Sequence, residues 1–268
     1  MTAVGLIGYG TIAQDVVAAF RAAAAAGSGA RIVGVLARPG RADRARAALP
    51  DADIVETIEA LLARRPRIVA EVAGQGAVTE YGEAVLRGGV DFLVISIGAL
   101  ADAALLARLQ SAARDGKARL LLPAGAIGGV DAIAAMRVAG LKSVRYRAVK
   151  PPAGWRGSPA EQLADLDNLK QRTVLYTGSA GEAALRYPQN ANVAATLALA
   201  GLGFAGTEVE LVADPDAPGN VHEIEAEGAT GRLAIRLEGR PSRNPRTSAL
   251  TAPSVARALL NEGATIVI

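Results

Sequence analysis

Twenty-nine Lys and Arg against 26 Asp and Glu leave this 268-residue chain with a net charge of only +3, and 51% of it is apolar against 21% charged. That composition describes a globular protein of one or two domains with a sizeable core, not a disordered chain. The small positive charge and 3% aromatic content exclude the basic, aromatic-rich surface of a nucleic-acid binder, and the lack of cysteine excludes disulfides, thiolate catalysis and Cys-ligated zinc.

The first half alternates strands with helices. Val4–Ile7 reads as a strand and Thr11–Ala25 as a helix. The turn between them, Gly8-Tyr9-Gly10-Thr11-Ile12-Ala13, has the glycine spacing of a dinucleotide-binding turn. Gly8 permits the turn, Gly10 lets a pyrophosphate approach the backbone, and Ala13 lets the helix pack on the strand. Thr11 and Ile12 open the helix, whose free N–H groups and dipole favour phosphate. Strands are expected at 31–37, 52–55, 67–73, 91–96 and 119–122, with helices at 41–49, 57–64, 78–87 and 101–115. This order predicts an α/β fold with an N-terminal Rossmann doubly wound parallel sheet over 1–123.

The rhythm changes after Pro123. A second glycine turn, Ala124–Gly129, precedes a helix at 131–138 and a strand at 143–150. The loop 151–157 holds Trp155, as a lid or as plain surface. A strand at 173–177 and helices at 181–187 and 192–200 follow, the last capped by Asn192. Antiparallel strands are expected at 208–213, 221–227 and 231–238, which makes 124–245 a second α+β domain with a mixed sheet. A last helix near 253–262 completes the first domain through 246–268. The longest apolar stretch, Phe92–Ile97, is far too short to span a membrane, and no basic segment precedes an apolar leader. A cytoplasmic protein with no membrane or nucleic-acid partner is expected, and its slight positive charge suits an anionic small molecule.

His222 is the only histidine. It opens a strand after Pro218-Gly219-Asn220 and shares a face with Ile224, against Val221 and Glu223 on the other. Its ordinary pKa suits proton transfer near neutrality. Spacing alone favours a structural or surface histidine. Ala73-Gly74-Gln75-Gly76 and Ser96-Ile97-Gly98-Ala99 end two strands where an open sheet meets its cofactor. The second strand ends at Ala37-Arg38, with Arg41 and Arg44 beyond and no acid for a ribose hydroxyl. That pattern tolerates the 2′-phosphate of NADP beside NAD. Lys150 is a candidate carboxylate partner or acid/base, Asn190 a candidate substrate contact, and Gly125 a donor in the backbone nest of the second turn. No metal is expected.

These blocks in this order resemble the L-aspartate dehydrogenase family across nearly the whole chain. They are Gly8–Ala13, Ser96–Asp102, Ala124–Asp131, Lys150-Pro151-Pro152, Pro188–Thr196, Ala213-Asp214-Pro215, Asn220-Val221-His222 and Asn244–Ser248. The resemblance implies a Rossmann domain, a second domain that dimerises, a catalytic histidine at His222, and cofactor contacts at Ala126 and Asn192. It also implies NAD(P)-dependent oxidation of L-aspartate to iminoaspartate, then oxaloacetate and ammonia, in supply of pyridine-nucleotide synthesis. The alternatives are a two-domain enzyme of the homoserine dehydrogenase or dihydrodipicolinate reductase sort, or a nicotinamide-binding sensor without turnover.

Overall fold

The computed structural model describes residues 1–25, 29–188, 191–240, 242 and 248–267. Two compact units divide them, Met1–Gly125 with Thr251–Ile268, and Ala126–Leu250.

The first unit runs β1 (Thr2–Ile7), α1 (Thr11–Ala25), β2 (Ala30–Leu36), α2 (Pro39–Ala48), β3 (Asp53–Val55), α3 (Ile58–Leu62), β4 (Ile68–Glu71), α4 (Gln75–Arg87), β5 (Asp91–Val94), α5 (Ala103–Gly116) and β6 (Leu120–Leu121). Among the described residues the strands form one parallel sheet in the order β3-β2-β1-β4-β5-β6. β4 and β5 are buried along their whole length, as strands covered on both faces must be. α1 turns Val16, Val17 and Phe20 into the core beside Val4 and Leu6. Asp102 caps α5 by accepting from the N–H groups of Ala104 and Leu105. Ile7 lies in register with both Leu36 and Glu71, and Glu71 with Val94. The loops after β1, β2, β4 and β5 therefore leave the sheet at one edge, and the strand order reverses there between β1 and β4. This is where an open α/β sheet takes a ligand.

The second unit runs α6 (Val130–Ala139), β7 (Leu141–Lys150), β8 (Thr173–Ser179), α7 (Ala180–Arg186), α8 (Asn192–Ala200), α9 (Gly203–Gly206), β9 (Thr207–Ala213), β10 (Asn220–Gly228) and β11 (Gly231–Gly239). Its sheet is mixed, in the order β11-β10-β7-β9-β8, with β7 and β9 parallel and the other pairs antiparallel. Val144, Tyr146 and Ala148 of β7 and Ile224 and Ala226 of β10 alternate inward into one core with Ile133 and Leu197. The opposite face carries Arg145 on Glu208 and Arg147 on Glu210 and Glu223. The last helix of the chain, α10 (Thr251–Asn261), belongs to the first unit, where Val255 and Leu259 join its core.

Three expectations change. The first unit extends past 123 to Gly125, because the buried Gly125 N–H donates to Ser254 Oγ of α10 at 2.9 Å. That amide is paired within its own unit and is no donor for a substrate carboxylate. Ala191, not Asn192, occupies the cap of α8; Asn192 lies in the first turn, where its carbonyl accepts from Thr196 Oγ1 at 2.8 Å. Trp155 is neither lid nor surface. It is fully buried, and its indole N–H donates to the Val212 carbonyl at 3.0 Å. Trp155→Ala should cost about 3–5 kcal/mol of stability. Urea unfolding followed by far-UV circular dichroism checks this, and a loss below about 1 kcal/mol would contradict it.

Candidate active site

Each unit brings part of the machinery together. In the first, Gly8 has φ +95°, and a Cβ there would lie 2.7 Å from that of Ala73. Only glycine suits both the backbone and the close approach. A Cβ on Gly10 would meet nothing within 4 Å, so the turn is open on that side. Gln14 N–H donates to the Gly10 carbonyl at 3.1 Å, which begins the helical ladder of α1. The N–H groups of Thr11, Ile12 and Ala13 precede that bond and have no intrahelical acceptor. An open glycine turn under a helix N-terminus fits a dinucleotide pyrophosphate. Arg38, Arg41 and Arg44 are all exposed around the start of α2, just beyond the end of β2.

Ala73 and Ser96 meet through a residue that the sequence reading did not single out. Glu71, fully buried at the end of β4, accepts from Ala73 N–H at 2.7 Å and Gly74 N–H at 2.6 Å. It also accepts from Ser96 N–H and Ser96 Oγ, each at 3.0 Å. Burial pushes its pKa up, and these hydrogen bonds pull it back. All four partners donate, so the arrangement suits the carboxylate. The Ala73 N–H and both Ser96 donors are thereby used to hold the β4 and β5 loops together. The signal was an acid closing the apolar run Ile68-Val69-Ala70, where a parallel strand has no place for an unpartnered charge.

In the second unit, His222 of β10 pairs in register with Ala148 of β7, and Ile224 with Tyr146. Tyr146 therefore sits diagonally across from His222 on the inner face. Its hydroxyl lies 2.8 Å from His222 Nδ1, and the two rings stack at 19° with centroids 6.0 Å apart. His222 is 5% exposed, and among the described residues its Nε2 is buried without a hydrogen-bond partner. Burial first, and the charge of Lys150 second, lower its pKa to about 4, so the ring is neutral at physiological pH. Lys150 ends β7 with its ammonium 5.1 Å from the centroid of the Trp155 ring. Lys150 is half-buried and not an exposed surface lysine. Burial lowers its pKa to about 8. A neutral imidazole with an open nitrogen, under the charge of Lys150, can exchange a proton with an anionic ligand.

Ala126 begins the second unit, and Asn192 is exposed at the start of α8. Asn190 lies outside the described residues, as does Asn244–Thr247 of the last sequence block. Among the described residues, no helix is long and apolar enough to cross a membrane.

Residues 131–262 match a family model described as aspartate dehydrogenase, C-terminal, and residues 8–123 match one described as homoserine dehydrogenase, NAD binding domain. An L-aspartate dehydrogenase of Ruegeria pomeroyi is 47% identical over 264 residues, covering 98% of this chain and 93% of that protein. One from Pseudomonas aeruginosa is 49% identical over 205 residues, covering 76% of this chain and 77% of that one. The crystal structure of aspartate dehydrogenase from Thermotoga maritima superposes with a TM-score of 0.78 at 28% identity, over 100% of this chain and 99% of that chain.

Proposed function

The chain belongs to the L-aspartate dehydrogenase family, and from that membership we propose that it catalyses the reversible NAD(P)-dependent oxidation of L-aspartate to iminoaspartate, which water converts to oxaloacetate and ammonia. The observation that carries the reading is His222. The only histidine of the chain is buried, neutral and hydrogen-bonded at Nδ1, with no partner at Nε2 among the described residues, within the part that matches the aspartate dehydrogenase model.

The bound nicotinamide supplies the acceptor for the hydride that leaves Cα of the substrate. The turn Gly8–Ala13 would hold the pyrophosphate, with the Ala73 and Ser96 loops at the same sheet edge, and the family resemblance adds Ala126 and Asn192 as cofactor contacts. The chain's own residues manage protons and charge. Oxidation needs a neutral amine, because an ammonium nitrogen has no lone pair with which to form C=N. His222 Nε2 takes that proton, gives it up to solvent, and in the following step takes one from the water that attacks the imine. Lys150 faces a substrate carboxylate. With a dianion bound the Lys150 ammonium faces opposite charge, which opposes the effect of burial on its pKa.

Arg38 and Arg41 follow β2 where an acid would select NAD, so NADP is accepted as well. As a homodimer the enzyme feeds pyridine-nucleotide synthesis, as the family resemblance implies, and the cytoplasm is the compartment proposed for it. The test is initial-rate reduction of NAD⁺ and of NADP⁺ by the purified protein, with L-aspartate against a panel of amino and hydroxy acids. Turnover selective for L-aspartate with both cofactors is expected. Turnover with another substrate, or none, would overturn the assignment, and a rate with NAD⁺ alone would remove the role given to Arg38 and Arg41.

A further inference from the structure

We propose that Tyr146 is a positioning residue for this reaction, whose hydroxyl decides which nitrogen of the His222 ring carries the proton and so leaves Nε2 as the nitrogen that exchanges protons with substrate. The proposal rests on His222 as the base.

A neutral imidazole has one donor nitrogen and one acceptor nitrogen. Nε2 can accept a proton only while Nδ1 carries one, and a buried Nδ1–H needs an acceptor. The Tyr146 oxygen, 2.8 Å away, is the partner of Nδ1. Antiparallel register places it there. His222 faces Ala148, Tyr146 lies two residues back along β7, and both side chains point into the core at 2% and 5% exposure. The stacked rings leave the imidazole little freedom to flip. A hydroxyl has two lone pairs and a hydrogen that rotates about C–O, so it accepts from Nδ1–H without movement of a heavy atom. When Nε2 takes the substrate proton, the substrate N–H bond breaks, its electron pair stays on nitrogen, and an Nε2–H bond forms. The ring is then an imidazolium whose Nδ1–H still donates to Tyr146.

The choice of a phenol has a chemical consequence. A carboxylate in this position would stabilise the imidazolium and raise the pKa of the ring. Burial raises the phenol pKa far above its ordinary value, so Tyr146 stays neutral throughout. The charged group acting on His222 is Lys150, which opposes protonation. Tyr146 thus fixes the tautomer of the base without raising its pKa, and the resting ring remains ready to accept a proton.

With one histidine in the chain, protein labelled with ¹⁵N-histidine gives a single pair of ring nitrogens to follow. Their shifts in the NAD⁺-bound protein, for wild type and Tyr146→Phe, report the tautomer directly. The wild-type ring should carry its proton on Nδ1, and the Phe variant should shift towards Nε2. The same variant should lose kcat by about tenfold, the scale on which the outer partner of a histidine acts, with KM for L-aspartate unchanged. A packing role alone would leave the tautomer unmoved. An unchanged tautomer in Tyr146→Phe overturns the proposal even if kcat falls. A changed tautomer with unchanged kcat overturns the base role of His222 beneath it. Should the Phe variant not fold, the wild-type spectrum decides alone, since a proton found on Nε2 contradicts the assignment.

Discussion

His222→Ala should lower kcat for L-aspartate oxidation by about 10²–10⁴-fold, equivalent to about 3–5 kcal/mol of barrier. That range is what a positioned general base contributes, and the side chain has the geometry for it. Its strand fixes the ring, Tyr146 holds Nδ1, and Nε2 is left without a partner among the described residues. Its pKa near 4 means that the ring itself does not limit activity until the pH falls to about that value. With Lys150 on a substrate carboxylate, as proposed, that lysine sets an alkaline limit. Its ammonium is present below about pH 8 and lost above it, so KM for L-aspartate should rise through that pH. Lys150→Met should raise KM at pH 7 and abolish that rise. Steady-state rates from pH 5 to 10 measure both effects. Near-wild-type turnover of His222→Ala, with Lys150→Ala inactive, would transfer the base to the lysine.

Glu71→Gln should raise KM for NAD⁺ by about tenfold or more while kcat falls less, because the side chain organises the cofactor edge and does not touch the reacting bond. The carboxylate oxygens accept four hydrogen bonds from two loops. Hydrogen bonds to a charged group are worth about 1.5–3 kcal/mol each. In Gln one oxygen becomes an NH₂ group, which would face the Ala73 and Gly74 amides in place of Oε1 or the Ser96 amide in place of Oε2, so at least one buried N–H loses its acceptor. A loss at either oxygen loosens the link between the two loops, and Gly8 packs closely enough against Ala73 that a shift there carries into the glycine turn. Fluorescence titration with NADH, beside initial rates and thermal unfolding, separates cofactor affinity from general destabilisation. An unchanged NADH affinity in a folded Glu71→Gln protein would show that the clamp is dispensable.

Much of the fold was legible because periodicity is a local property. Val16, Val17 and Phe20 mark the buried stripe of α1, and the apolar run of β5 marks a strand covered on both faces. Alternation along β10 placed His222 and Ile224 inward together. Boundaries drifted where ends are set by other elements. β4 stops at Glu71, short of the expected 73, because its carboxylate captures the Ala73 and Gly74 amides that would have continued the strand.

The sequence by itself determined the doubly wound domain, the glycine turn at Gly8–Ala13 and the identity of the candidate base, since each depends on residues adjacent along the chain or on a residue type present once. Tertiary structure alone decided what surrounds them. The pairing of Tyr146 with His222 needs the register of β7 against β10, the gathering of the Ala73 and Ser96 loops on Glu71 needs β4 beside β5, and the burial of Trp155 beneath Lys150 needs the Val212 carbonyl of β9. Such contacts join positions separated by tens of residues, and no local pattern encodes the register that brings them within hydrogen-bond reach.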